Sequence, residues 1–234
     1  MPGKKRKKRK FQQLLKLLAL TAASVFLLTV FQVLTLRFVN PPFTFSTTFD
    51  RVIHVYKGET WHKPAWQWTP LDRISGQLKK AVLASEDQRF YKHHGFDFIE
   101  LKIVFKDLLS SGKARGASTI TMQTARTLFL LPSRNIIRKL LEAYYTVLIE
   151  LLWNKHRIFE VYLNTVYWGQ YIMGAEAAAR RYFNRSAGSL TREQAALLAA
   201  ILPNPRKWSP VKPDRHLRWR QKRIMEDMEK MPDL

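Results

Sequence analysis

The sequence contains no cysteine. That absence excludes a disulfide framework, a thiolate nucleophile and any cysteine-ligated metal, while leaving the compartment open. Acidic residues are scarce too: 18 Asp and Glu stand against 40 Lys and Arg, for a net charge of +22. An excess of that size calls for polyanionic partners: nucleic acid, anionic head groups or phosphorylated substrates. There is no Walker motif, no dinucleotide fingerprint and no internal repeat. What remains is a chain of 234 residues, 46% hydrophobic, enough for one fair-sized domain with its own core or two small ones.

Seven of the positive charges form an unbroken run, Lys4 to Lys10. Alone it would suggest nucleic acid, but its neighbour argues otherwise. From Leu17 to Leu36 lie twenty residues without a charge. As a helix they would span about 30 Å, the thickness of a bilayer core. The basic run predicts a cytoplasmic N-terminus, so the chain beyond Arg37 would be exported. A cleaved signal peptide fits less well: its apolar core is shorter, and Arg37-Phe38-Val39-Asn40-Pro41-Pro42 offers no small-residue cleavage site. The expected division is a basic tail at 1–16, a transmembrane helix at 17–36, a membrane-proximal linker at 37–69 and a globular domain at 70–234.

Pro41 and Pro42 break any helix, and Phe43 to Phe49 reads as extended linker. Trp61, Trp66 and Trp68 fit either the head-group level or ordinary packing. From about residue 72 the pattern is mostly helical, with no convincing alternating strands. Helices are expected near 72–94, 97–110, 118–130, 133–153, 155–168, 171–182, 191–201 and 214–230. Thr191 with Gln194 makes a capping box, and Pro203 follows that helix. Ser110 to Ala117 reads as a basic, flexible loop bracketed by Gly112 and Gly116. The segment from Phe96 to Leu109 is unusually apolar. It suits a core helix somewhat better than the membrane interface.

Three places could carry chemistry. Leu78, Val82, Glu86 and Phe90 are four apart, which puts a carboxylate in an apolar helical row near Gly95. Lost hydration would raise its pKa and suit it to acid–base work. A solvated pair with Arg89 or Lys92 fits the pattern equally well. Arg138, Lys139 and Glu142 border the apolar face of their helix; an ordinary i, i+4 Arg–Glu pair is the simpler reading, an anion clamp the functional one. Gly116 leads into Ser118, Thr119, Thr121 and Gln123 at a helix start, with Lys113, Arg115 and Arg126 adding charge. That is a ready anion site, although a plain serine cap explains the local pattern. Two other matches carry little weight. His93 and His94 lack zinc-site spacing. Ser110-Ser111-Gly112-Lys113 fits the Ser-x-x-Lys of penicillin-binding transpeptidases, but no Lys-Thr-Gly follows.

Taken in order, these segments resemble all five signature motifs of the peptidoglycan glycosyltransferases, glycosyltransferase family 51. The first is Glu86-Asp87-Gln88-Arg89-Phe90-Tyr91-Lys92-His93-His94-Gly95. The second runs from Gly116 through Ser118, Thr119 and Gln123 to Arg126 and Phe129. The third is Arg138-Lys139-Leu140-Leu141-Glu142. The fourth extends from Lys155 through Asn164 and Tyr167 to Gly169, and the fifth from Arg192 to Pro205. The likeness covers roughly residues 70–210. Arg37 to Pro42 and Trp68-Thr69-Pro70-Leu71-Asp72 resemble the monofunctional, single-anchor branch typical of Gram-negative bacteria. One departure is Arg126-Thr127, where the family usually has Lys-Asn.

The resemblance implies a mainly α, lysozyme-like domain with a small apolar jaw lobe, held at an inner membrane with the domain in the periplasm. The substrate would be lipid II, added to a nascent glycan strand, with no transpeptidase activity. Glu86 would be the general base. Arg126, Arg138 and Lys139 would stabilise the departing diphosphate, with Ser118, Thr119 and Gln123 on donor groups. Glu142 would orient these cations or hold a divalent ion, Mg2+ or Mn2+. Asp87, Phe90, His93 and Gly95 would support the Glu86 turn, with Asn164 and Tyr167 behind them. Other cell-wall synthesis or division proteins are implied as partners, and nucleic acid is not. A lysozyme-like hydrolase or lytic transglycosylase is the alternative enzyme, and a membrane-tethered scaffold the alternative outside enzymes.

Overall fold

The computed structural model describes residues 2–112, 116–133 and 135–233, apart from the side chains of residues 2–8 and 111. Two units emerge, one ending at Asn40 and one running from Pro41 to the C-terminus. The first is a single helix, α1 (Pro2–Phe38), continuous through the basic run and the apolar stretch. From Arg9 to Phe38 it is long and apolar enough to cross a membrane.

The second unit begins with a helix where extended linker was expected. Thr44 caps α2 (Phe45–Tyr56), accepting from the Thr47 amide while the Thr47 hydroxyl accepts from the Thr44 amide. Threonine serving as both cap and N3 partner is weaker sequence code than the Ser/Thr-x-x-Glu/Gln box, which hides the helix start. The remaining residues of the supposed linker also belong to the folded body. Asn164 is fully buried, and its amide group accepts from Thr69 N at 2.8 Å and donates to Thr69 O at 2.9 Å. Trp66 donates to the Asn164 carbonyl at 2.8 Å. A small three-stranded sheet follows from this anchoring: β1 (Ala65–Trp66), β2 (Tyr167–Gly169) and β3 (Ile172–Met173), in the order β1-β3-β2. The strands are too short for an alternating pattern to register.

The rest is helical: α3 (Gly76–Glu86), α4 (Phe98–Ser111), α5 (Ile120–Phe129), α6 (Ile136–Leu152), α7 (Lys155–Thr165), α8 (Ala175–Phe183), α9 (Arg192–Ile201) and α10 (Arg215–Met228). Short polar residues start most of them. Ser75, Asp97, Thr119, Asn135, Asn154, Thr191 and Asp214 each accept from an amide of the first turn. The capping box of Thr191 and Gln194 forms as expected. Helices α3, α9 and α10 pack on one another, and α5 packs on α6 and α7. Trp168, Tyr162, Phe90 and Phe159 are the bulkiest fully buried side chains. Each such group stabilises by about 1.5–3 kcal/mol.

Two expectations need correcting. The first active-site helix stops at Glu86, not near Gly95, so Phe90 does not continue its stripe; it lies in a short 3-10 turn, Phe90–Lys92. The cause is Asp87. Its backbone is extended, and its carboxylate is drawn toward the start of α5. The second concerns α4. It buries none of its described side chains, and Phe98, Ile99, Phe105 and Leu109 are all more than half exposed. The first turns of α6 likewise expose Ile136, Ile137, Leu140 and Leu141.

Candidate active site

Glu86 is the last residue of α3, at the floor of a groove of about 610 Å³. Ser85, Asp87, Arg89, Ser118, Thr119, Gln123, Pro203 and Arg220 line the groove with it. The Gln123 amide donates to Oε2 of Glu86 at 3.0 Å, and the Ser85 hydroxyl reaches Oε1 at 3.2 Å. Tyr162 fixes which way that amide points, since its hydroxyl donates to Gln123 Oε1 at 3.3 Å. Burial raises the Glu86 pKa above the ordinary carboxylate value. The bonds from Gln123 and Ser85, and the positive charge of Arg220, offset part of the rise. Burial also pushes the Tyr162 phenol well up, and the nearby Glu86 adds to it, so the hydroxyl stays a donor.

Asp87 supports this arrangement from below. Its Oδ2 accepts from the Ile120 amide at 3.0 Å, and its Oδ1 meets His93 Nε2 at 2.9 Å. One carboxylate therefore ties the end of α3 to the start of α5. The Thr119 hydroxyl donates to the Gly95 carbonyl at 2.6 Å and accepts from Met122 N, so it is engaged within the protein. Gly95 has φ +84°, and a Cβ there would lie 2.6 Å from Thr146 Cγ2. Phe90 packs on Phe159 and His93, with the Lys155 ammonium 4.4 Å from the centre of its ring.

A second cluster lies farther along α5. Glu142 on α6 is fully buried. Arg138 bonds its Oε2, Lys139 its Oε1 at 2.7 Å, and Arg126 approaches Oε2 at 3.4 Å. The expected i, i+4 pair is thus one edge of a four-residue ionic knot. Lys139 and Arg126 keep roughly two-fifths of their side chains in solvent, where they remain open to an anion. Gln123 and Arg126, three residues apart, occupy one side of α5 and join the two clusters. The Glu86 groove itself is not lined by Arg126, Arg138, Lys139 or Glu142. Lys113 and Arg115, expected to add charge beside Ser118, lie outside the described residues.

Asn164 and Tyr167 are not brought to Glu86. Asn164 holds the segment around Thr69, and Tyr167 lines a separate small pocket with Asp50, His54 and Arg206. Burial, and after it the Asp50 charge, raises the Tyr167 pKa.

Arg220 escaped the sequence reading. Its Nε donates to the carbonyl of Ala200 at 3.1 Å, and its guanidinium lies 5.7 Å from the Trp208 ring centre. Ser85 donates to the adjacent carbonyl, Ala199, at 3.3 Å. The last turn of α9 thus holds Arg220 in the lining of the groove near Glu86. Eight arginines and lysines lie from Arg206 to Arg223 inclusive; nothing in their local pattern singles out this one.

A divalent ion on Glu142 does not fit the donors present. Both carboxylate oxygens already serve cationic side chains, and a metal would be repelled by three positive charges. The buried group Asp87, His93 and Asp97 brings three ligand atoms within 4.8 Å of one another. Its oxygens are taken as well. Asp97 caps α4 with Oδ1 and pairs with Arg89 through Oδ2 at 3.0 Å, while Asp87 holds Ile120 and His93.

Comparison with known proteins shows the family. The sequence pattern of the transglycosylase family matches residues 52–229. A biosynthetic peptidoglycan transglycosylase of Caulobacter vibrioides is 46% identical over 195 residues, covering 83% of this chain and 82% of the relative. One from Chromohalobacter salexigens is 44% identical over 218 residues, covering 93% and 91%. One from Rhodospirillum centenum is 52% identical over 152 residues, covering 65% and 66%. With a match across most of its length and relatives of this closeness, the chain belongs to the transglycosylase family of glycosyl-transferring enzymes.

Proposed function

We propose that this enzyme polymerises lipid II into β-1,4-linked glycan, with inversion at the anomeric carbon. The observation that carries the reading is a glutamate of raised pKa, held by neutral donors and linked through one side of α5 to a cluster of cations. Glu86 takes the proton of the acceptor sugar's 4-hydroxyl. That oxygen bonds to the anomeric carbon of the growing strand, and the bond from this carbon to the diphosphate oxygen breaks. Polyprenyl diphosphate departs, its charge met by Arg126, Arg138 and Lys139. Fixed cations where negative charge develops are the largest source of rate in such a step. Glu142 keeps the three from repelling one another.

Ser118 and Gln123 face the reacting sugars from the groove wall. Arg220 lines the same groove, where its charge tempers the pKa of Glu86. The exposed apolar side chains of α4 and of the start of α6 suit contact with the membrane and with lipid tails, and α1 suits a single span with its basic end in the cytoplasm.

The test is turnover of purified lipid II in detergent by the full chain, with finished glycan as the alternative substrate. Polymer from lipid II is the expected product. Cleavage of finished glycan without polymerisation would overturn the reading in favour of a lytic enzyme.

A further inference from the structure

A second cavity, of about 330 Å³, shares no residue with the Glu86 groove. Its walls are mainly apolar: Phe43, Trp61, Pro64, Trp66 and Met173. The back is rigid, because Trp66 pairs with Met173 across β1 and β3 and its indole is bonded to Asn164. Arg51 and Lys63 border it and are exposed. The Arg51 guanidinium lies 5.4 Å from the Trp61 ring centre. Among the described residues neither cation has an acidic partner. An apolar slot edged by two unpaired cations is complementary to an amphiphile with a negative head.

A bilayer spanned by α1 would supply such molecules. Phe43 lies five residues beyond Phe38, the end of α1, and five residues reach at most about 18 Å. If α1 spans a bilayer, as read above, the cavity is tethered near a head-group layer about 5–7 Å deep. On the helix that contributes Arg51, Val52, Val55 and Tyr56 are more than half exposed, an apolar surface facing outward beside the cavity. Tryptophans with basic residues at that depth match a membrane interface.

We propose that this cavity is a binding site for one anionic phospholipid of the surrounding bilayer. An acyl chain lies against Phe43, Trp61 and Met173, and the phosphate is met by Arg51 and Lys63. The site is separate from the one that takes the substrate diphosphate. A bound lipid would fix the segment between span and catalytic body.

The test uses the full chain in a neutral detergent, with phosphatidylglycerol or phosphatidylcholine of identical chains added and retained lipid counted by native mass spectrometry. The basic N-terminal run also attracts anionic lipid, so the informative quantity is the difference between variants. Wild type is expected to retain one more phosphatidylglycerol than the double variant Arg51→Glu, Lys63→Glu, with at least ten-fold preference over phosphatidylcholine. Thr48→Trp, which fills the cavity while leaving the charges, is expected to lose the same lipid; Thr48→Leu serves if that variant misfolds. Lipid II turnover in detergent controls for folding and separates this proposal from the catalytic one. Equal retention in wild type and the charge-reversed variant overturns the proposal. So does loss on charge reversal but not on filling, which would leave charge alone as the cause. Displacement by an excess of lipid II also overturns it, assigning the cavity to substrate.

Discussion

Two glutamates fifty-six residues apart, Glu86 and Glu142, have opposite surroundings. Glu86 receives hydrogen bonds from an amide and a hydroxyl, with Arg220 nearby but not paired to it. Glu142 is completely enclosed and bonded to three cationic side chains. In the proposed reaction the same side chain serves as proton acceptor in one place and as structural counter-ion in the other. Burial alone does not make a base. Burial with neutral donors does, because it raises the proton affinity and leaves the charge unneutralised. Burial with cations gathers positive charge at a fixed point, which is what a diphosphate requires.

The contrast can be broken most strongly at Glu86. Glu86→Gln is expected to cut lipid II polymerisation by roughly 10³-fold, within the usual range for loss of a general base. Its folding should not suffer. The folded pKa of Glu86 is raised, so between its unfolded and folded values the native state holds a proton that the unfolded state has released. Stability from this group is complete at low pH and falls as pH rises through the folded value. Above the folded value the ionised carboxylate is therefore a cost, and the amide should melt there at the same temperature or higher. A calorimetric scan beside the activity assay checks both, and a clear drop in Tm would show Glu86 to be structural.

Glu142→Ala should behave the opposite way. Losing one partner of a fully buried pair costs about 3–5 kcal/mol; here about 2–3 kcal/mol is expected, since Arg126 and Lys139 reach solvent. Urea unfolding measures it, and an unchanged midpoint would make the knot dispensable. Arg138→Ala leaves Glu142 with two cations and is expected to weaken binding of a diphosphate-bearing donor analogue by about 10–100-fold, the worth of one charge-assisted bond. Titration calorimetry reads it; equal losses of Tm and of affinity would point to folding alone. The smallest effect is expected from Arg220→Gln. Removing that positive charge should move the acid limb of the pH–rate profile to higher pH while leaving the plateau nearly intact. A profile that does not move would remove Arg220 from the tuning of Glu86.

How much of this could be read from the chain depends on how far each feature reaches. The Thr191 cap, the end of α9 and the Arg138–Glu142 spacing are encoded within a few residues, and they form as read. The end of α3 is not local. Its helical stripe continues to Phe90, but Asp87 leaves the helix to meet Ile120, a partner the periodicity does not contain. Helix α4 shows the limit of composition, since an apolar stretch looks alike whether it faces a core or a bilayer. Arg220 shows the limit of charge counting. It is one cation among many on a basic helix, selected only by α9 offering it the Ala200 carbonyl beside Glu86.

The carboxylate of Asp87 has a mechanical consequence. Because its two oxygens hold His93 and the first amide of α5, the end of the helix carrying Glu86 is clamped to the start of the helix carrying Gln123. One side chain thereby spans the two elements that set the distance between the Glu86 carboxylate and the Gln123 amide. In the proposed reaction, a polymer advancing through the groove would find its clearance away from this clamped edge.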